Sequence, residues 1–267
     1  MSPTLLIGVP VYKQIELTHA LVLDLTREEA DFVIIDNGGD YVPLAQERVI
    51  SADTNLGWAG GSNLAFRTAF SEGFDYAMTL NNDTRLSQGF VSGLLDRRLP
   101  KDAGIICPVY DDCFSYPTLA SVYRGAAVDY KPVDRYRTLP VADGTGMVIS
   151  RKAWVAAGEL DTRSFGPFAW GADADLCLRV RQAGMGIYGT EMSYMNHLGK
   201  RTVLAEHSKF AYHAKAGWAM SRGMRKIYGR DWRTKVDKAT TVPVHSLVND
   251  ALVTEHVPAD IIAAYSN

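Results

Sequence analysis

Asn81-Asn82-Asp83 follows the apolar run Tyr76-Ala-Met-Thr-Leu80 and offers one carboxylate beside two amides. Hard oxygen ligands suit Mg2+ or Mn2+, which commonly take one or two carboxylates and fill their shells with phosphates and water. The same tripeptide also suits an Asx turn that caps the next element. Ninety residues on, Trp170-Gly171-Ala172-Asp173-Ala174-Asp175 opens an amphipathic stretch. Asp173 there stands where a carboxylate accepts backbone N–H bonds and is favoured by the helix dipole. Those forces are expected to lower its pKa and keep it ionised, ready to take a proton from an attacking hydroxyl. Asp175 and Arg179, four apart on the same stretch, are expected to pair with each other. His197 precedes Gly199-Lys200-Arg201, and an imidazole can ligate Mn2+ or hydrogen-bond phosphate. The fourth site, Asn55 to Asn63, holds three glycines and no charge, so its backbone can pass close to a ligand. It has neither the spacing of a P-loop nor that of a dinucleotide fingerprint, and a plain glycine-softened loop entering a helix reads equally well. In chain order, the four sites describe a nucleotide-diphosphate site with a base beside it.

Such residues need a scaffold that brings them to one edge. Short β-rich runs at 5–9, 32–35, 48–51, 76–80 and 104–107 alternate with helical patterns near 15–29, 59–72 and 87–97, the sequence form of βαβ units around a mostly parallel sheet. Ligands of open α/β sheets gather at the carboxyl ends of the strands. That rule selects Pro10-Val11-Tyr12, Asp36-Asn37-Gly38-Gly39, Asp53-Thr54-Asn55 and Asn81-Asn82-Asp83. From about residue 110 the alternation weakens into loops and an irregular antiparallel excursion. A strand is expected over 141–149, where Gly144 and Gly146 point to close approach by something bound. A helix is expected from Asp173, with Leu176, Val180 and Ala183 on one face and Gly184 as its stop. A short strand is expected near 186–188, helix from about 205 to Tyr228-Gly229, and then a polar, less regular tail. The expected division is therefore a domain over 1–204, with a nucleotide-binding half over 1–107 and an acceptor half over 108–204, and a helical extension over 205–267 packed on it.

Composition narrows the partners. The chain has 267 residues, 47% hydrophobic and 22% charged, with a formal net charge of -2, which fits a globular domain and argues against nucleic acid as the partner. Nine basic residues against two acids lie between His207 and Lys238, an asymmetry that suits either a solvated helix face or contact with a phosphate or anionic acceptor. Cys107, Cys113 and Cys177 lack metal-type spacing and are expected as free, buried thiols of a reducing compartment. No segment has the length of a membrane span, and a cytoplasmic location is expected. Tyr116, Tyr123, Tyr130, Phe165, Phe168 and Trp170 are candidates either for stacking on a sugar face or for the core.

Taken together, these motifs resemble the family 2 glycosyltransferases of GT-A fold, in the rhamnosyltransferase-like and galactofuranosyltransferase-like branch. The resemblance runs from Leu5 to His197 and rests on Pro10-Val11-Tyr12, Ile34-Ile-Asp36-Asn37-Gly38, Asn55-Leu-Gly57 with Asn63, Leu80-Asn-Asn-Asp83, Gly144-Thr-Gly146 and Trp170 through Arg179. It implies an inverting transfer from a nucleotide-diphosphate sugar, UDP or dTDP favoured, to a hydroxyl of a glycan, a lipid-linked intermediate, a small molecule or a protein, with a soluble acceptor expected from the lack of a membrane segment. By the same resemblance, Pro10, Val11, Tyr12 and Asp36 hold the nucleotide, while Asn55, Gly57, Asn63, Asn81, Asn82 and Asp83 hold ribose and diphosphate. Asp83 and His197 take Mn2+ or Mg2+, Asp173 is the base, and Gly146, Trp170 and Gly171 face the acceptor. A homo-oligomer is compatible with it. Two positions depart from the pattern, Asn81 where the metal motif opens with Asp and Ala172 where an acid precedes the base. They leave open a non-catalytic nucleotide-sugar binding protein on the same fold, while nucleotidyl transfer lacks a basic triphosphate loop near the first strand.

Overall fold

The computed structural model describes residues 3–111, 117–167, 169–198, 209–236 and 241–256. Cys113, Tyr116, Phe168, Gly199, Lys200, Arg201, His207, Asp237 and Lys238 lie outside them. The first half is built from β1 (Leu5–Val11), α1 (Ile15–Arg27), β2 (Asp31–Asp36), β3 (Arg48–Ser51), α2 (Gly57–Ser71) and β4 (Tyr76–Leu80). β3, β2, β1 and β4 pair in parallel, as their apolar, β-branched runs separated by helices require. α2 lies across β1 and β4. Its approach is close enough that a Cβ at Gly8 would fall 2.0 Å from the Cβ of Ala65.

Beyond β4 the sheet becomes mixed. Next come β5 (Thr84–Leu86), α3 (Phe90–Leu94), β6 (Ala103–Tyr110), β7 (Arg135–Thr138), β8 (Gly146–Ser150), α4 (Arg151–Ala157), α5 (Ala172–Gln182) and β9 (Gly186–His197). With β10 (Val242–Ser246) and β11 (Leu252–His256), one eleven-stranded sheet runs β11-β10-β7-β9-β6-β8-β4-β1-β2-β3, with β5 paired to β9. The sheet, expected to be mostly parallel, is therefore mixed: β3, β2, β1 and β4 pair in parallel, as do β6 and β9, and the remaining pairings are antiparallel. β8 runs against both β4 and β6, and β9 runs against β5 and β7. The strand expected over 141–149 begins at Gly146, and the short strand near 186–188 extends twelve residues to His197.

The C-terminal part is α6 (Lys209–Tyr228), α7 (Trp232–Val236), β10 (Val242–Ser246) and β11 (Leu252–His256). The expected helical extension is thus helix followed by a hairpin that joins the main sheet through β10 and β7. The core is continuous across both halves, from Ile7, Ile34 and Phe66 to Ile149, Leu176 and Met224. Cys107 and Cys177 are buried free thiols within it.

Candidate active site

The carboxyl ends of β1, β2 and β4 and the start of β8 meet at one edge, and polar contacts join them. Asn37, just past β2, donates from its backbone N–H to the Val11 carbonyl (2.9 Å). Its side chain donates to Gly57 O and accepts from Leu56 N, both at 3.4 Å. The glycine loop is thereby tied to the end of β2, while Gly57 at φ 66 starts α2. Asn55 accepts from the Gly57 N–H at 2.8 Å, an Asx turn on an exposed loop. At β4, the Asn81 N–H donates to Thr145 O (2.9 Å), so the Asn-Asn-Asp turn and the loop before β8 abut. The Gly144 N–H in turn donates to Asp173 Oδ2 at 3.3 Å. These contacts link Asp83 to Asp173 through one short stretch of backbone.

Asp173 lies in the first turn of α5, after Gly171 at φ 96. Its Oδ1 accepts from Ala174 N at 2.8 Å. The residue keeps partial contact with solvent, yet protein surrounds it closely. Loss of water, then the charge of Asp143, push its pKa up to about 7 against the pull of the backbone N–H bonds. The expected lowering is therefore reversed, because burial and a like charge outweigh the helix N-terminus. Asp143, which motif reading did not single out, faces Asp173 from the loop before β8. It is buried, accepts from Tyr110 OH (2.7 Å) and Thr145 N (3.1 Å), and stands one residue before the Gly144-Thr-Gly146 signal.

At the other end of the edge, His197 Nε2 lies 3.5 Å from Asp83 Oδ1, with side chains 6% and 11% exposed. The antiparallel pairing of Thr84 with His197 brings them together. Asp111, not singled out by sequence, holds this end of β9 by accepting from His197 N (2.8 Å) and Asn196 Nδ2 (2.9 Å). The donor set, one carboxylate oxygen and one imidazole nitrogen, fits Mn2+ or Mg2+ as two ligands of a larger shell. Among the described residues no cluster of three or more His, Cys, Asp or Glu side chains has metal-binding geometry, so the remaining ligands would have to be phosphate and water.

The other expected site residues divide. Pro10, Val11 and Tyr12 end β1 at this edge, followed by Lys13 and Gln14 at φ 59 and 57. Two consecutive non-glycine residues in left-handed conformation are costly and concentrate at functional sites. Asp36 accepts from Gly38 N (3.0 Å), Gly39 N (2.8 Å) and Tyr41 N (3.3 Å), so its carboxylate closes the β2 turn. Asn82 donates to Thr18 Oγ1 (3.0 Å) and Lys13 O (3.4 Å), which ties it to the start of α1. Asn63, 3% exposed, donates to Leu160 O and accepts from Leu160 N, both at 2.9 Å. Its amide is committed to the backbone after α4.

Gly144 and Gly146 are approached closely, but by the protein itself. A Cβ at Gly144 would meet the Trp58 ring at 1.8 Å, and one at Gly146 would meet Met195 at 3.1 Å. The something bound that these glycines were expected to admit is thus an internal side chain at each position. Gly171 and half-buried Trp170 form the turn ahead of α5. Of the aromatic candidates for sugar stacking, Phe165 is fully buried, and Tyr123 and Tyr130 pack with Tyr194 at ring distances of 4.7–5.4 Å. The expected pair forms as Arg179 donates to Asp175 Oδ2 at 2.7 Å, and Tyr228 OH joins it on Asp175 Oδ1 at 2.7 Å.

Over 226 residues the chain is 50% identical to the uncharacterized protein Rv1525 of Mycobacterium tuberculosis (strain ATCC 25618 / H37Rv), covering 85% of this chain and 86% of that one. The chain belongs to the Rv1525 family. The uncharacterized protein Mb1552 of Mycobacterium bovis matches with the same identity and coverage, and no protein-family model matches. Among solved structures, the Rv1525-family fold is similar to GalNAc-T7 with UDP, GalNAc and Mn2+, at TM-score 0.56 and 11% identity. That match covers 73% of this chain and 44% of the other, so this chain spans less than half of that protein. It is also similar to the mannosyltransferase PcManGT of Pyrobaculum calidifontis in complex with GDP-Man and Mn2+, at TM-score 0.54 and 13% identity, over 100% of this chain and 87% of that one. The architecture is the GT-A glycosyltransferase fold. No helix among the described residues is long and apolar enough to cross a membrane.

Proposed function

We propose that the protein is an inverting glycosyltransferase that moves a sugar from a nucleotide-diphosphate donor, UDP or dTDP favoured, to an acceptor hydroxyl. The observation that carries this reading is a partly solvent-accessible carboxylate with pKa about 7, linked through one loop to an Asp83–His197 pair on a GT-A sheet edge. A base with a pKa near the working pH combines a useful ionised fraction with a real proton affinity. In the reaction, Asp173 takes the acceptor hydroxyl proton as that oxygen bonds to the anomeric carbon. The bond from that carbon to the diphosphate breaks on the opposite face, its electron pair leaves with the nucleoside diphosphate, and Asp173 then returns its proton to solvent. Asp83 and His197 would hold a divalent ion, which supplies charge stabilisation to the diphosphate. Asn81 and Ala172, the two positions without the acids of the family 2 pattern, favour one alternative, donor binding without transfer.

The test is the thermal midpoint of the protein with UDP, dTDP, GDP or ADP, each with and without Mn2+, followed by nucleotide release from the matching sugar donors. A nucleotide at 100 times its dissociation constant stabilises by about 2.7 kcal/mol. A shift with one diphosphate that grows with Mn2+, and transfer that falls about 10²- to 10⁴-fold in Asp173→Asn, are expected. A shift without nucleotide release under any acceptor would favour the binding reading, and no shift with any nucleotide would sink both.

A further inference from the structure

The outward face of α6 is unlike the rest of the surface. Residues 209–228 contain no Asp or Glu, although the whole chain carries a net charge of -2. Lys215, Trp218, Arg222, Arg225 and Lys226 are all exposed, and their spacing of three and four places them along one stripe. Trp218 stands 66% exposed in this stripe, with the Arg222 guanidinium 4.9 Å from its ring centroid. The opposite face, with Ala216, Ala219 and Met224, is buried.

We propose that this face of α6 docks on an anionic phospholipid surface. Cations repeated along one side of a helix with an aromatic ring among them are the anchors that proteins present to lipid headgroups. From Lys215 to Lys226 the stripe gives a straight contact line about 16 Å long, matched to a planar partner. A protein interface with defined register would be expected to pair charges of both signs, and single-stranded nucleic acid needs successive aromatic platforms. Among its described side chains, α6 offers one sign of charge and one exposed aromatic ring, Trp218.

The inner face of α6 carries the consequence to the catalytic edge. A Cβ at Gly171 would come within 3.0 Å of Met220, one at Gly223 would fall 2.6 Å from Ser164 O, and Tyr228 bonds Asp175. A bilayer held by the outer face therefore lies roughly one helix diameter, about 10 Å, from the turn that leads into Asp173. Resting on the proposed transferase reading, this makes a hydroxyl presented at a lipid surface the favoured acceptor class.

The docking is tested without any turnover, by co-sedimentation of the full chain with vesicles of phosphatidylcholine alone or with 30% phosphatidylglycerol. Binding is expected to the anionic vesicles only and to weaken in high salt. Each lost cation should weaken it about fivefold, so Arg222→Gln with Arg225→Gln should cost roughly 25-fold. Trp218→Ala should weaken it further, while the thermal midpoint and the nucleotide-induced shift stay at wild-type values. No sedimentation with anionic vesicles, equal binding of the variants, or capture by heparin without capture by vesicles would overturn the proposal. A retained nucleotide shift beside failed vesicle binding would leave the transferase reading standing and remove the lipid-borne acceptor.

Discussion

Asp173 is a carboxylate held against its own tendency to ionise. Burial and Asp143 raise the pKa of Asp173 to about 7, well above the range of a carboxylate in an unfolded chain. Between the two values the folded state keeps a proton that the unfolded state has released, so stability from this group is full below about pH 4 and declines until pH passes 7. Asp173→Asn is expected to stabilise the protein at pH 8 by on the order of 2 kcal/mol, a rise of several degrees in thermal midpoint, with little change at pH 4. An unchanged midpoint at pH 8 would contradict the assignment. Asp143→Asn removes the like charge, and the acid limb of the kcat/KM profile should then move to lower pH, with activity at pH 6 rising severalfold relative to pH 8. The position of Asp173 at a helix start was legible from its neighbours in sequence. Its elevated pKa was not, because Asp143 reaches it only when the loop before β8 folds against α5.

Elements here are positioned by polar clamps as much as by packing. Asn63 on α2 bonds both backbone groups of Leu160, fixing the segment that leads from α4 towards α5. Asn63→Ala would leave two buried backbone groups unsatisfied and should destabilise by about 2–4 kcal/mol. Urea unfolding reads that loss, and a change below 0.5 kcal/mol would mean that water replaces the clamp. The same residue shows how one residue type fits two roles in a motif reading. An asparagine near a glycine loop suits a ligand contact and a backbone clamp equally well, and only the partner at Leu160 distinguishes them. β1 to β4 were legible because each is an apolar run bounded by turn residues. β10 and β11 were not, since Val242-Pro-Val244-His-Ser246 and Leu252-Val-Thr-Glu-His256 show no apolar–polar alternation, and β10 finds its sheet partner only in distant β7.

For the molecule as a whole, that hairpin covers an edge. β10 pairs with β7, His245 stacks on Tyr136 with ring centroids 5.1 Å apart, and Tyr136 OH donates to Asp250. A chain ended after Val236 would leave β7 as an open strand, a ready template for pairing between molecules. It should lose several degrees of thermal midpoint and scatter light at concentrations where the full chain is clear. A truncated protein that stays monomeric and equally stable would show the hairpin to be dispensable.

The pairing of β5 with β9 has a bearing on when the protein becomes competent during its synthesis. Asp83 is made early and His197 late, and they meet only after β9 has settled against β5 in the register that sets Thr84 opposite His197. A slip of one residue would turn every side chain of β9 to the other face of the sheet, carrying His197 away from Asp83. The nascent chain can therefore hold a nearly finished parallel half long before the Asp83–His197 pair can form.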